Sequence, residues 1–113
     1  HREFSVPIQV GVSYAGDLAN VERVTLEIAR EVQTSVQGAI PTFVPIFRYH
    51  TFADSSVNFM IILRVKEFED QHTVTHEFIK RLHARFRREG IEIPFPQRVV
   101  RIESAAGNSP DRR

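Results

Sequence analysis

The chain has 113 residues, a formal net charge of +1, 42% hydrophobic and 26% charged residues, and no cysteine. That length suits one domain with a single sizeable core, and the near-neutral balance gives no general attraction to nucleic acid or an anionic membrane. The lack of cysteine excludes disulfides, thiol catalysis and thiolate metal sites.

In chain order, the first element is a strand. Within "FSVPIQVGVSY", residues 4 to 14, Val6, Ile8, Val10, Val12 and Tyr14 share one face, and Pro7, Gln9, Gly11 and Ser13 the other. Period two with one apolar face predicts a half-buried strand, and Pro7, lacking an N–H, suits an edge or a strand start. Asp17 then has the chemistry of a helix N-cap. Val21, Val24, Ile28, Val32 and Val36 recur at three- and four-residue steps as one apolar stripe, with Arg23, Glu27, Arg30 and Glu31 on the wetter side. Gly38 is expected to end this helix, with Pro41 after it.

"TFVPIFRYHTF" and "SVNFMIILRVKEF" read as two strands joined through "ADSS", whose Asp54, Ser55 and Ser56 supply turn chemistry. In the second strand Val57, Phe59, Ile61, Leu63 and Val65 form one face. Met60 and Ile62 make the middle of the other face apolar too, so this strand is expected at the centre of the sheet or covered on both sides. "DQHTVTHEFIKRLHARFRREG" is a second helix with Asp70 as its expected cap, Val74, Phe78, Leu82 and Phe86 as a buried stripe widened by Ile79, and Gly90 as its stop. "PQRVVRIE" closes with a strand, and the tail 104–113, without periodicity, is expected to be disordered. The order β-α-β-β-α-β predicts an α+β, ferredoxin-like sandwich with two helices on one face of a mainly antiparallel four-stranded sheet. That fold hosts many functions and decides none.

The longest apolar run, "FMIIL" from Phe59 to Leu63, is far short of the roughly 18–20 residues of a membrane span. The start "HREFSVPIQ" has no apolar signal segment. Beginning on histidine, the chain reads as a piece of a longer protein or a processed one.

The most chemical-looking feature is His72, His76 and His83, which fall within about 40° of one another on a helical wheel. Imidazoles at i and i+4 can share a zinc ion. However, "HTVTH" places Thr73 where a metalloprotease helix needs its general-base glutamate. The preferred reading is that these histidines flank the apolar stripe. The rival is a free-standing ferredoxin-like ligand- or metal-binding module using the three. Lys80, Arg81, Arg85, Arg87 and Arg88 form a basic run that either contacts anions or, as preferred, meets the negative end of the helix dipole.

No RNA-binding aromatic signature occupies the central strand, no G-x-S-x-G elbow accompanies Ser55 and Ser56, and Gly11 and Gly16 belong to no phosphate loop. Glu92 is a carboxylate with no evident acid–base partner. The chain is therefore read as no enzyme, with no cofactor and no nucleic-acid partner.

One segment raises a different question. "GIEIPFPQRVV", residues 90 to 100, places Pro94 and Pro96 around Phe95, directly before the last strand. Each proline drives the preceding residue into β or polyproline geometry, so the motif reads as a stiff extended lead-in, with Phe95 able to plug an apolar gap. Together with "VGVSY" running into "DL" and with "ADSSVNFMIILRV", this motif resembles the small-conductance mechanosensitive channel (MscS) family, at its cytoplasmic carboxy-terminal α/β domain. The resemblance covers residues 4 to 103. It marks Asp17, Gly90, Pro94, Phe95 and Pro96 as architectural.

The resemblance implies a homoheptamer in the cell (inner) membrane, with this soluble domain on the cytoplasmic side as part of a cage whose side openings admit ions and small osmolytes during osmotic pressure relief. No cofactor is implied. Membrane contact would come only through segments absent from this chain, which lacks the pore helix and the β domain of the full pattern. The tail also lacks the alternating strand with which some members close the cage base. Lys80, Arg81, Arg85, Arg87 and Arg88 become candidate portal or vestibule charges.

Overall fold

The alternating segment forms β1, Phe4–Ser13, with Val6, Ile8 and Val12 buried and Val10 partly so. A computed structural model describes residues 3–13 and 15–94. Tyr14, Phe95, Pro96, the expected last strand, the 104–113 tail and the end of the 4–103 domain lie outside the described residues.

Helix α1, Leu18–Ser35, begins as expected: Asp17 Oδ1 accepts from the backbone N–H groups of Ala19 and Asn20 at 3.1 and 3.2 Å. Val21, Val24, Ile28 and Val32 are buried along its stripe. Its end differs from expectation. The helix stops at Ser35, with Val36 extended as the cap, and Gly38 lies beyond it with φ +96°. That glycine is demanded by its surroundings as well as its φ, since a Cβ there would stand 2.5 Å from Asp70 Cγ.

Strands β2, Ile46–Phe52, and β3, Ser56–Val65, form the expected hairpin, closed by Ala53 N–H donating to Ser56 O at 2.8 Å. β2 is shorter than its sequence pattern, which began at Thr42. Pro45 has no N–H to offer a ladder, and residues 41–45 run as a loop. Among the described residues all pairings are antiparallel in the order β1-β3-β2, so β3 lies between β1 and β2, and Pro7 sits near the start of β1. The described sheet has three strands, and the fourth expected strand falls on residues that are not described.

Helix α2, Asp70–Glu89, buries Val74, Phe78, Leu82 and Phe86. Two expectations fail here. Ile79 is 52% exposed and does not widen the stripe. Asp70 is the first helical residue rather than the cap: its Oδ2 accepts from Glu67 N–H, while Glu69, itself helical, occupies the cap with no side-chain bond. A turn over residues 67–69, bonded Asp70 N–H to Glu67 O and Gln71 N–H to Phe68 O, leads straight into the helix and moves its start upstream of the aspartate. Gly90 ends α2 at φ +74°, with Ile91 N–H donating to Phe86 O and Gly90 N–H to Arg87 O, the Schellman pattern.

Both helices pack on one face of the sheet. The core joins their stripes to Val6, Ile8 and Val12 of β1, Phe47 of β2, and Phe59, Ile61, Leu63 and Val65 of β3. Phe47 stacks on Phe59 with ring centroids 4.4 Å apart, and Tyr49 meets both rings edge-on.

Candidate functional site

The basic run of α2 divides into two sets. Arg81 and Arg85, one turn apart, face Glu31 and Glu27, one turn apart on the antiparallel α1. Arg85 Nη2 lies 2.7 Å from Glu27 Oε1, and Arg81 Nη1 lies 3.0 Å from both Glu31 Oε2 and Ser35 Oγ. Each arginine also has a carboxylate on its own helix, Glu89 at 2.9 Å from Arg85 and Glu77 at 3.3 Å from Arg81. Arg23 extends the ladder on the α1 side, donating to Glu27 at 2.9 Å and to Asn20 at 2.6 Å, and Lys80 reaches Glu77 at 3.1 Å.

The hydrogen bond from Arg85, reinforced by Arg23, holds the Glu27 carboxyl below its ordinary value of 4.5, and Lys80 followed by Arg81 does the same for Glu77. Depressed carboxyls contribute at pH above 4.5, and the contribution fades as pH falls through their lowered values. Hydrogen bonds to Glu89 and Glu27 push Arg85 further up. Arg81 and Arg85 join α2 to α1.

Arg87 and Arg88 are different. Both are exposed in the last turn of α2, and neither has an ion pair among the described residues. They meet the negative end of the helix dipole on one side and water on the other.

His72, His76 and His83 are all exposed, and among the described residues no group of three His, Cys, Asp or Glu side chains is arranged to hold a metal ion. A histidine that sequence reasoning passed over is more engaged. His50 sits at the irregularity where the β2–β3 register shifts between Tyr49 and Thr51. Its Nε2 lies 2.8 Å from Gln9 Oε1 on β1 and its Nδ1 2.7 Å from Thr51 Oγ1, so it links β2 to β1 across β3.

Two of the residues read as architectural, Asp17 and Gly90, come together. Asp17, Gly90 and Glu92 border a cavity of about 230 Å³ that also touches Ser13, Asn20 and Glu89. Ser13 N–H donates to Glu92 O at 3.0 Å, tethering the stretch after Gly90 to the end of β1. Pro94 is half-buried at the last described position, and Phe95 and Pro96 lie beyond it. Among the described residues no histidine lines this cavity, and Ser13 Oγ accepts from Ala15 N–H at 3.2 Å.

Sequence reasoning also missed Gln33. This buried side chain donates from Nε2 to Ile40 O at 2.6 Å and Arg64 O at 3.2 Å, and accepts from Arg64 N–H at 2.9 Å. It pins the loop after α1 to the end of β3, where Ala39 bridges Val65. A glutamine directly after Val32 of the apolar stripe was the available signal.

Among the described residues no helix is long and apolar enough to cross a membrane. Residues 6–93 match the family model described as mechanosensitive ion channel MscS, C-terminal. The fold is similar to the crystal structure of Helicobacter pylori MscS in its closed state, with a TM-score of 0.67 at 25% identity, covering 84% of this chain and 36% of that one. It is also similar in fold to the cryo-EM structure of Arabidopsis thaliana MSL1 and to that of its A320V variant, each with a TM-score of 0.64 at 10% identity over 85% of this chain. The chain spans about a third of the length of these proteins. A comparison with curated proteins gave no match.

Proposed function

This chain belongs to the mechanosensitive ion channel MscS, C-terminal family, and on that premise we propose that it is the cytoplasmic domain of a tension-gated channel in the cell (inner) membrane. The family is a channel domain and not an enzyme class. In this reading the domain repeats around a ring, as a homo-oligomer and by resemblance a heptamer. The ring forms a vestibule that filters ions and small osmolytes on their way to the pore during osmotic pressure relief. The match over residues 6–93, with the similarity in fold to a solved MscS, supports the reading.

The charge arrangement sharpens which residues act on solutes. A cation already bonded to carboxylates presents little field to a passing ion, whereas an unpaired exposed cation presents its full charge within about 8–10 Å. Arg81, Arg85 and Lys80 are of the first kind, the two arginines joining α2 to α1 and Lys80 pairing with Glu77 of its own helix. Arg87 and Arg88 are of the second, and we assign them the vestibule role.

The test is the double change Arg87→Glu and Arg88→Glu in the full-length channel, read by reversal potentials across a salt gradient. The expected result is a shift of preference toward cations with unchanged assembly. An unaltered reversal potential would sink the portal role for these arginines.

A further inference from the structure

The helices cover one face of the sheet, and no described element covers the other. On that open face Pro7, Ile62 and Ile46 stand in direct register across all three strands, with Met60 in the adjoining row. Ile46 is 39% exposed, and Ile62 and Met60 are half-buried. The borders of this apolar stripe are cationic. Arg48 lies in the row with Met60, reaches only the carbonyl of its neighbour Phe47 at 3.0 Å, and has no ion pair among the described residues. Arg64, on the other side of the stripe, has Glu3 at 3.5 Å and lies 4.5 Å from the centre of the Phe43 ring. Two guanidiniums against one carboxylate leave the face positive, with His50 beside it.

Two such faces laid on each other would set like charge against like, which disfavours a symmetric pairing. The alternative is a contact between unlike surfaces, the kind from which rings are built. Its other half needs an exposed apolar anchor between carboxylates. Phe68 is 60% exposed, stands between Glu67 and Glu69, and has Asp70 beyond them, with Lys66 offsetting one of these charges. Its ring rests edge-on against Phe4 at 5.8 Å, so the anchor is held in place rather than free. The other exposed apolar side chains outside the stripe are less suited: Ile93 has a carboxylate on one side only, and Val44, Phe52 and Ile79 have none adjacent in sequence.

We infer that the open sheet face of one copy receives Phe68 of a second copy on the Pro7–Ile62–Ile46 stripe, with Glu67 and Glu69 set against Arg48 and Arg64. The inference rests on the homo-oligomer reading above and adds to it the two surfaces that meet.

The absence of cysteine from the chain makes the test free of background. The paired variant Arg48→Cys with Glu67→Cys leaves the apolar anchors intact. Under mild oxidation of the 113-residue chain it is expected to give a ladder of covalently joined copies, while each single variant gives none. A paired variant without a ladder overturns the inference. So do covalent dimers from Arg48→Cys alone, because those mark a symmetric contact.

A second measurement uses charge. Arg48→Glu should weaken self-association at least tenfold by light scattering, and adding Glu67→Arg should restore most of it. No weakening, or no restoration, also counts against the contact. Failure of the contact is separable from failure of the channel reading: an assembled full-length channel without the ladder refutes only the surfaces. A full-length protein that gives no tension-gated current refutes the reading even if the ladder forms.

Discussion

Strand β3 meets two environments on alternate residues. Phe59, Ile61, Leu63 and Val65 are fully buried beneath the helices, whereas Asn58, Met60, Ile62 and Arg64 point to the open face and are only half-buried. One strand thus contributes to the core on one side and to a surface on the other. The comparison teaches which apolar residues hold the monomer together and which are available to something else. Burial per side chain is worth about 1.5–3 kcal/mol when complete, so the two faces should respond to mutation very differently.

The largest effect should come from Phe59→Ala. Phe59 touches Phe47 and Tyr49 and has no exposure, so its removal leaves a cavity in the middle of the core. A loss of about 3–5 kcal/mol is expected in urea unfolding, and Met60→Ala next to it should cost much less. Equal losses would show that the open face is as well packed as the core.

Gln33→Leu should come next. The replacement fills similar space but leaves Arg64 N–H without its acceptor and Ile40 O with Phe43 N–H alone, for a cost of about 1–3 kcal/mol. Tyr49→Phe removes the hydroxyl that donates to Leu18 O at 2.7 Å and should cost about 1 kcal/mol. Burial, with Glu22 and Asp17 adding to it, pushes this hydroxyl up to about 12 from 10.0. A raised value in the folded state means that the protonated phenol contributes fully below pH 10, and that this contribution is lost between pH 10 and about 12. Stability measured across that window should fall in the parent and fall less in Tyr49→Phe.

The fold was legible wherever a period was repeated. The alternation in β1 and β3 and the four-residue steps of both helices name their buried faces residue by residue, because burial of one face is what selects those patterns. The central place of β3 was legible from Met60 and Ile62. The ends were less so. Gly38 and Asp70 are residue types that stop and start helices, and here they are fitted to each other: a Cβ on Gly38 would strike the Asp70 side chain, which itself serves the turn before α2. Such a tertiary fit leaves no local trace.

The basic run was visible, but its division was not, because pairing Arg81 and Arg85 with Glu31 and Glu27 depends on how two helices distant in sequence pack. Two carboxylates and two arginines each spaced four apart were a hint. The family resemblance came through turn and proline motifs, whose residues constrain the backbone locally.

The finest test compares adjacent residues that differ only in the face they occupy. Ile61→Val and Ile62→Val remove the same methyl group from the same strand. Ile61 is fully buried, so its change should cost about 0.5–1.5 kcal/mol. Ile62 is half-buried on the open face, so its change should fall within about 0.5 kcal/mol for the isolated chain in dilute solution. The same pair measured at high concentration sharpens the comparison further. If a second copy covers the open face, self-association should weaken on losing the Ile62 methyl and be indifferent to Ile61→Val. The methyl that matters least to folding would then be the one that matters to assembly. A dilute-solution cost for Ile62→Val as large as that for Ile61→Val would break the division of β3 into a core side and a docking side.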